Sequence, residues 1–171
     1  MNILPHISPM FAFVKRMNTA FGNPEGNPSN IDWNRLKSQV ANIQDEFNET
    51  MDDGIGPQDL EKTRDGLCDI MVFALGAFHF MGLDADADMQ AVLEGVMTRF
   101  CKDQDALDRT KAKYDALGVA YYVEGEFPTV CLKSAKNQPD PKGAGSLPKG
   151  KFLKSVDFQD TVFPALPAAS A

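Results

Sequence analysis

The chain has 171 residues, enough for one domain or one domain with an appendage, and its 43% apolar content supports a genuine core. A formal net charge of −7 argues against a general nucleic-acid binder, because neutralising phosphates needs Lys and Arg. Cys68, Cys101 and Cys131 are odd in number, widely spaced and form no CxxC, so neither a zinc knuckle nor a disulfide framework is expected. Cys68 and Cys101 fall in helical patterns and are expected as reduced core residues. Pro5, His6 and Ser8 interrupt the apolar start, so neither a signal peptide nor a membrane span is expected, and a cytoplasmic location follows.

The first predicted helix covers residues 8–21, with Ser8 as N-cap, Pro9 at N1, and Met10, Phe13, Val14, Met17 and Phe21 as its apolar stripe. The Gly-, Pro- and Asn-rich run 22–30 is a loop. A second helix is predicted over residues 32–52, with Trp33, Leu36, Val40, Ile43 and Phe47 at helical spacing. Glu46 and Glu49 stand at its C-terminal end, where negative charge opposes the helix dipole. Their placement points to a purpose other than folding.

A Gly-Ile-Gly-Pro turn at 54–57 leads into a third helix reaching about Met81. Its first half carries Glu61, Asp65 and Asp69 at i, i+4 spacing, one face of a helix. Its second half, 70–81, is apolar on nearly every face and is expected to be buried against helices or a second subunit. A fourth helix over 84–101 and a fifth over 104–117 follow, the latter closed by Gly118. Composition then changes. Residues 120–134 are β-branched and aromatic and predict a β-hairpin. A Lys-rich loop comes next, residues 151–156 are a candidate third strand, and a Pro/Ala-rich tail ends the sequence. The expected organisation is an all-α domain over 1–118 and a small β-hairpin extension with loop and tail over 119–171.

The stretch from Asp45 to Asp69 holds nine carboxylates against Lys62 and Arg64, a net charge equal to that of the whole protein. Two antiparallel helices would bring Glu46 and Glu49 to face Asp65 and Asp69. Crowded carboxylates repel unless a hard divalent cation sits between them. Such a set suits two or three Mg²⁺ or Mn²⁺ ions completed by a polyphosphate. The competing reading is a solvated acidic face. His79, ten residues past Asp69, is too far along a helix to join the same ions and is expected to find a local partner.

The pattern Glu46-Phe-Asn-Glu49, a turn, then Asp65-Gly-Leu-Cys-Asp69-Ile ahead of an apolar helix resembles the all-α nucleoside triphosphate pyrophosphohydrolases. This family includes MazG and phosphoribosyl-ATP pyrophosphohydrolase. Its signature is ExxE on one helix and ExxD on the next, binding Mg²⁺. The first half matches. In the second, the position three before Asp69 is Gly66 and the acid is Asp65, one residue earlier; Glu61 could substitute for it. Residues 81–100 and the run KSAKNQPDPKG…PKGKFLKS resemble phage-encoded members, so the likeness covers about residues 10–156.

The resemblance implies a MazG-like helical bundle that assembles as a dimer or tetramer. It implies metal ligands at Glu46, Glu49, Asp65 and Asp69, with Glu46 or Glu49 also taking a proton from water. Arg99 occupies a phosphate-binding Lys position of the fourth helix, whereas Val96 stands at a partner Asn position and cannot serve. Lys133, Lys149, Lys151 and Lys154 are further candidates for phosphate, and the competing reading of their loop is a solvated connector. The implied reaction converts a nucleoside triphosphate to monophosphate and pyrophosphate. The best match is dGTP or GTP in a phage nucleotide-modification pathway, as in MazZ-like enzymes; dCTP, dUTP and phosphoribosyl-ATP are alternatives. Phe13, Asn18 and Phe21 are candidates to hold the base, although Phe13 and Phe21 are expected more as core, and Trp33 as packing. The alternative of another class is a non-enzymatic helical interaction protein with an acidic face.

Overall fold

A computed structural model describes residues 8–141, 143 and 145–166. The chain divides into two compact units, Met1–Met89 with Pro164–Ala171, and Gln90–Phe163. The described residues are mostly α-helical, with small antiparallel sheets toward the C-terminus. Gly118, where the composition changes, lies inside the second unit.

The first unit contains α1 (Ser8–Ala20), α2 (Trp33–Glu49) and α3 (Leu60–Met81). Asp32 caps α2 by accepting from Arg35 N at 3.0 Å, and Asp59 caps α3 by accepting from Lys62 N at 3.1 Å. α2 and α3 form an antiparallel hairpin. The Gln39 side chain donates to Phe73 O at 2.9 Å, Thr50 meets Gly66, and Gly54 meets Thr63, so partners on α3 fall in number as those on α2 rise. α1 packs on α3, and Asn18 and Gln39 both approach Gly76.

The buried face of α1 differs from the expected stripe. Phe11, Val14 and Asn18 are buried, while Phe13 is 61% and Phe21 72% exposed. The run Met10–Val14 is apolar on adjacent faces, so periodicity alone admits both registers. Trp33, Val40 and Phe47 of α2 are likewise exposed, as is Cys68; neither Phe13, Phe21 and Trp33 nor Cys68 is core. Cys101 is buried as expected.

The loop 22–30 is held against the end of α3. Gly26 N donates to His79 O at 2.9 Å, and the buried His79 ring donates through Nε2 to Asn23 O at 2.9 Å. His79 thus has the local partner expected of it. The Arg35 guanidinium lies 3.8 Å from the centre of the Phe80 ring. Gly82, at φ 68°, ends α3 in the left-handed region and approaches the Gly26 backbone, which only glycine allows.

α4 (Ala85–Met97) leads into the second unit, whose described residues include α5 (Gln104–Ala116) and five short strands. β1 (Tyr121–Glu124), β2 (Cys131–Ser134) and β5 (Phe152–Leu153) form an antiparallel sheet in the order β1-β2-β5. The expected hairpin and third strand are therefore one sheet. β3 (Gln138–Pro139) and β4 (Ser146–Leu147) pair within the stretch read from sequence as loop. Each is two residues long in Pro- and Gly-rich surroundings, too short to leave a periodic signal. Leu107 and Tyr114 of α5 share a core with Val130, Leu132, Leu147 and Leu153, so the sheet has its own hydrophobic support. Among the described residues no single helix is long and apolar enough to cross a membrane.

Candidate metal centre

α2 does not stop at Glu49 but widens into a π-helical segment, Thr50–Ile55. Gly56 N reaches back five residues to Met51 O at 2.8 Å, and Asp59 N to Gly54 O at 2.8 Å. π-segments are uncommon and concentrate at functional sites. Here the segment carries the helix past ExxE and directly against the start of α3.

Two glycines make that approach possible. A Cβ at Gly54 would lie 2.8 Å from Thr63 N, a backbone atom with no room to yield. A Cβ at Gly66 would overlap Thr50 Oγ1 and stand 3.0 Å from Thr50 Cβ. Thr50 is buried, and its hydroxyl donates to Glu46 O at 2.7 Å. Gly66 is therefore a point of tight contact between the helices, where a side chain has no space. A glutamate there would displace Thr50, and the acid stands one residue earlier, at Asp65.

Around this contact is a hollow of about 40 Å³ whose lining includes Glu46, Glu49, Asp65 and Asp69. All four predicted ligands thus border one space. Thr50, Asp53 and Lys62 line it too; none of these three is marked as a site residue by its sequence pattern. Asp53 stands i+4 from Glu49, a relation concealed by ending the predicted helix at Asp52. Glu61 does not border the hollow; it pairs with Arg64 at 3.5 Å, both well exposed.

The electrostatics record the crowding. Partial burial raises the Glu46 pKa, and the nearby carboxylates of Asp69, Glu49, Asp45 and Asp65 raise it further. Among the described residues, no three His, Cys, Asp or Glu side chains are already drawn to a common ligating point. Glu49 and Asp65 are exposed, and Glu46 and Asp69 are half-buried. An all-oxygen donor set fits a hard divalent cation such as Mg²⁺ or Mn²⁺.

Comparison with protein-family models, with curated proteins and with solved structures finds no match to this chain.

Of the cations expected at phosphate, Arg99, Lys151 and Lys154 line one cavity in the second unit, joined by Lys113 of α5. Lys133 instead donates to Glu124 across the β1–β2 pair at 2.8 Å, and exposed Lys149 is outside that lining. The base candidates separate as well. Asn18 is buried with its amide donating to Val14 O at 3.0 Å and its Oδ1 accepting from Asn23 at 3.4 Å, whereas Phe13 and Phe21 are exposed.

Proposed function

We propose that the protein is a divalent-cation-dependent hydrolase of nucleoside triphosphates, releasing monophosphate and pyrophosphate, of the MazG-like all-α type. The observation that carries this reading is the hollow bordered jointly by Glu46, Glu49, Asp65 and Asp69. Carboxylates gathered from two helices around a contact as close as Thr50–Gly66 cost stability in a metal-free chain. That cost is accounted for if the cluster holds cations.

Glu46, Glu49, Asp65 and Asp69 would hold two or three Mg²⁺ or Mn²⁺ ions. When bound, such ions neutralise phosphate charge and lower the pKa of water. The side chains do the rest. Glu46, on the wall of the hollow, takes the proton of the attacking water. Glu49, one helical turn away, orients it. Lys62 on the wall of the hollow is the nearby cation to meet a substrate oxygen. A guanine nucleotide, dGTP or GTP, is the preferred substrate on the resemblance to phage-type members.

The hairpin also carries exposed apolar side chains at helical spacing, Val40 and Phe47 on α2 and Leu60, Leu67 and Met71 on α3. Such faces mark protein contacts, and a second copy of the chain covers them in this reading.

The test is a nucleotide panel with Mg²⁺ and with Mn²⁺, scored for monophosphate and intact pyrophosphate. A guanine nucleotide should be turned over fastest, and Glu49→Gln should abolish turnover with the circular dichroism spectrum unchanged. Full activity in that variant, or no hydrolysis of any nucleotide by the wild type, would remove the assignment in favour of a non-enzymatic acidic helical protein.

A further inference from the structure

The second unit holds a cavity of about 190 Å³. Arg99, Lys113, Lys151 and Lys154 line it with one carboxylate, Asp140, and Asp160 stands 3.8 Å from Lys154 Nζ, so the cations outnumber the carboxylates four to two. In a chain of net charge −7, such a gathering of cations sets this cavity apart. Its remaining wall is largely apolar, through Leu117, Phe152 and Leu153.

Arg99 Nε is buried and has no hydrogen-bond partner among the described residues. A guanidinium cannot shed its charge, and a buried N–H left unsatisfied costs the full desolvation penalty of the group. Nearby contacts hold the frame. The Arg99 carbonyl accepts from Ser155 N at 3.2 Å, and the Lys154 carbonyl accepts from Tyr114 Oη at 3.0 Å and Lys113 Nζ at 3.3 Å. Lys154 Nζ sits 3.6 Å from the centre of the Phe158 ring and 3.8 Å from Asp160. The segment bearing Lys151 and Lys154 is thereby fixed beside α5, and the cavity is framed before any ligand arrives.

We propose that this cavity binds a small phosphorylated ligand, its phosphoryl group on Arg99 and Lys151 and its organic body against Leu117 and Phe152, using residues of the second unit alone. Several cations around one space match a multiply charged oxyanion better than a single carboxylate, and the planar Arg fork matches phosphate geometry. No divalent cation is required, so the inference stands apart from the hydrolase reading.

The test is calorimetric titration of the full chain in EDTA with inorganic phosphate, pyrophosphate and GMP. Saturable binding is expected, strongest for GMP, whose organic body the apolar wall receives; a preference for pyrophosphate would overturn the role of Leu117 and Phe152. Glu46→Gln/Asp69→Asn should bind as the wild type does while losing hydrolysis, which separates the two proposals. Arg99→Gln and, independently, the exposed Lys151→Gln should each weaken binding about tenfold or more, the loss of one charge-assisted hydrogen bond; Lys149→Gln should not. Lys151→Gln keeps the test valid should Arg99→Gln misfold. Absence of saturable binding to all three probes in EDTA, or binding untouched by Lys151→Gln, would overturn the proposal.

Discussion

Replacing Gly66 by Ala tests whether the α2–α3 contact sets the carboxylate hollow. In an ordinary helix interior the change would stabilise by about 1 kcal/mol, since Ala is the better helix former. Here the added Cβ overlaps Thr50 Oγ1 and lies 3.4 Å from Thr50 Cα. Overpacking of this kind costs about 1–3 kcal/mol, and losing the buried Thr50 hydrogen bond to Glu46 O adds about 1 kcal/mol. The helix-propensity gain offsets the lost hydrogen bond, which leaves a net destabilisation of about 1–3 kcal/mol. Chemical denaturation measures it, and pyrophosphate release measures the consequence. Pushing Thr50 away moves Glu46 and Glu49 from Asp65 and Asp69, so turnover should fall further than the loss of folded protein explains. Thr50→Ala in the same background removes the overlapping oxygen and should restore part of both, a coupling of about 1–2 kcal/mol for side chains in direct contact. A Gly66→Ala protein as stable as the wild type, or more so, with unchanged turnover, would refute the claim that this contact organises the cluster.

The raised pKa of Glu46 has a signed consequence. The native state keeps the Glu46 proton to higher pH than the unfolded chain, so this residue's contribution is full below the ordinary glutamate value of 4.5 and is lost as pH rises through its raised value. In EDTA, the Tm of Glu46→Gln relative to wild type should therefore climb with pH across that window, and a flat difference would contradict the crowding of acids around it. At neutral pH, Mg²⁺ should raise the wild-type Tm and leave Glu46→Gln/Asp69→Asn unmoved. For the exposed apolar faces, Phe47→Glu with Met71→Glu should convert an oligomer to a soluble monomer by light scattering, with helicity retained; an unchanged mass would place the subunit contact elsewhere.

Much of the first unit was legible because its signals are local. Asp32 marks a helix start, Gly82 a helix end, and the i, i+3 and i, i+4 acids need only a hairpin to face one another. What the sequence concealed depends on packing. The buried face of α1 runs through Phe11 and Asn18, and periodicity does not separate it from the adjacent apolar face bearing Phe13, nor does it mark a buried Asn. Gly66 reads as a broken motif until Thr50 is seen against it. Asp53 lines the hollow beyond the predicted end of α2, in a π-segment that no propensity foretells. Lys113 stands far in sequence from Lys151 and Lys154, and tertiary folding alone brings it to their cavity.

Titration of Mn²⁺ into the metal-free protein, with free Mn²⁺ followed by electron paramagnetic resonance, addresses the carboxylate cluster most directly. The wild type should take up Mn²⁺ saturably, with uptake lost in Glu46→Gln/Asp69→Asn and preserved in Glu61→Gln. Linear, unsaturable uptake by the wild type, or equal uptake by the doubly substituted chain, would mean that Glu46, Glu49, Asp65 and Asp69 are a solvated acidic surface and nothing more.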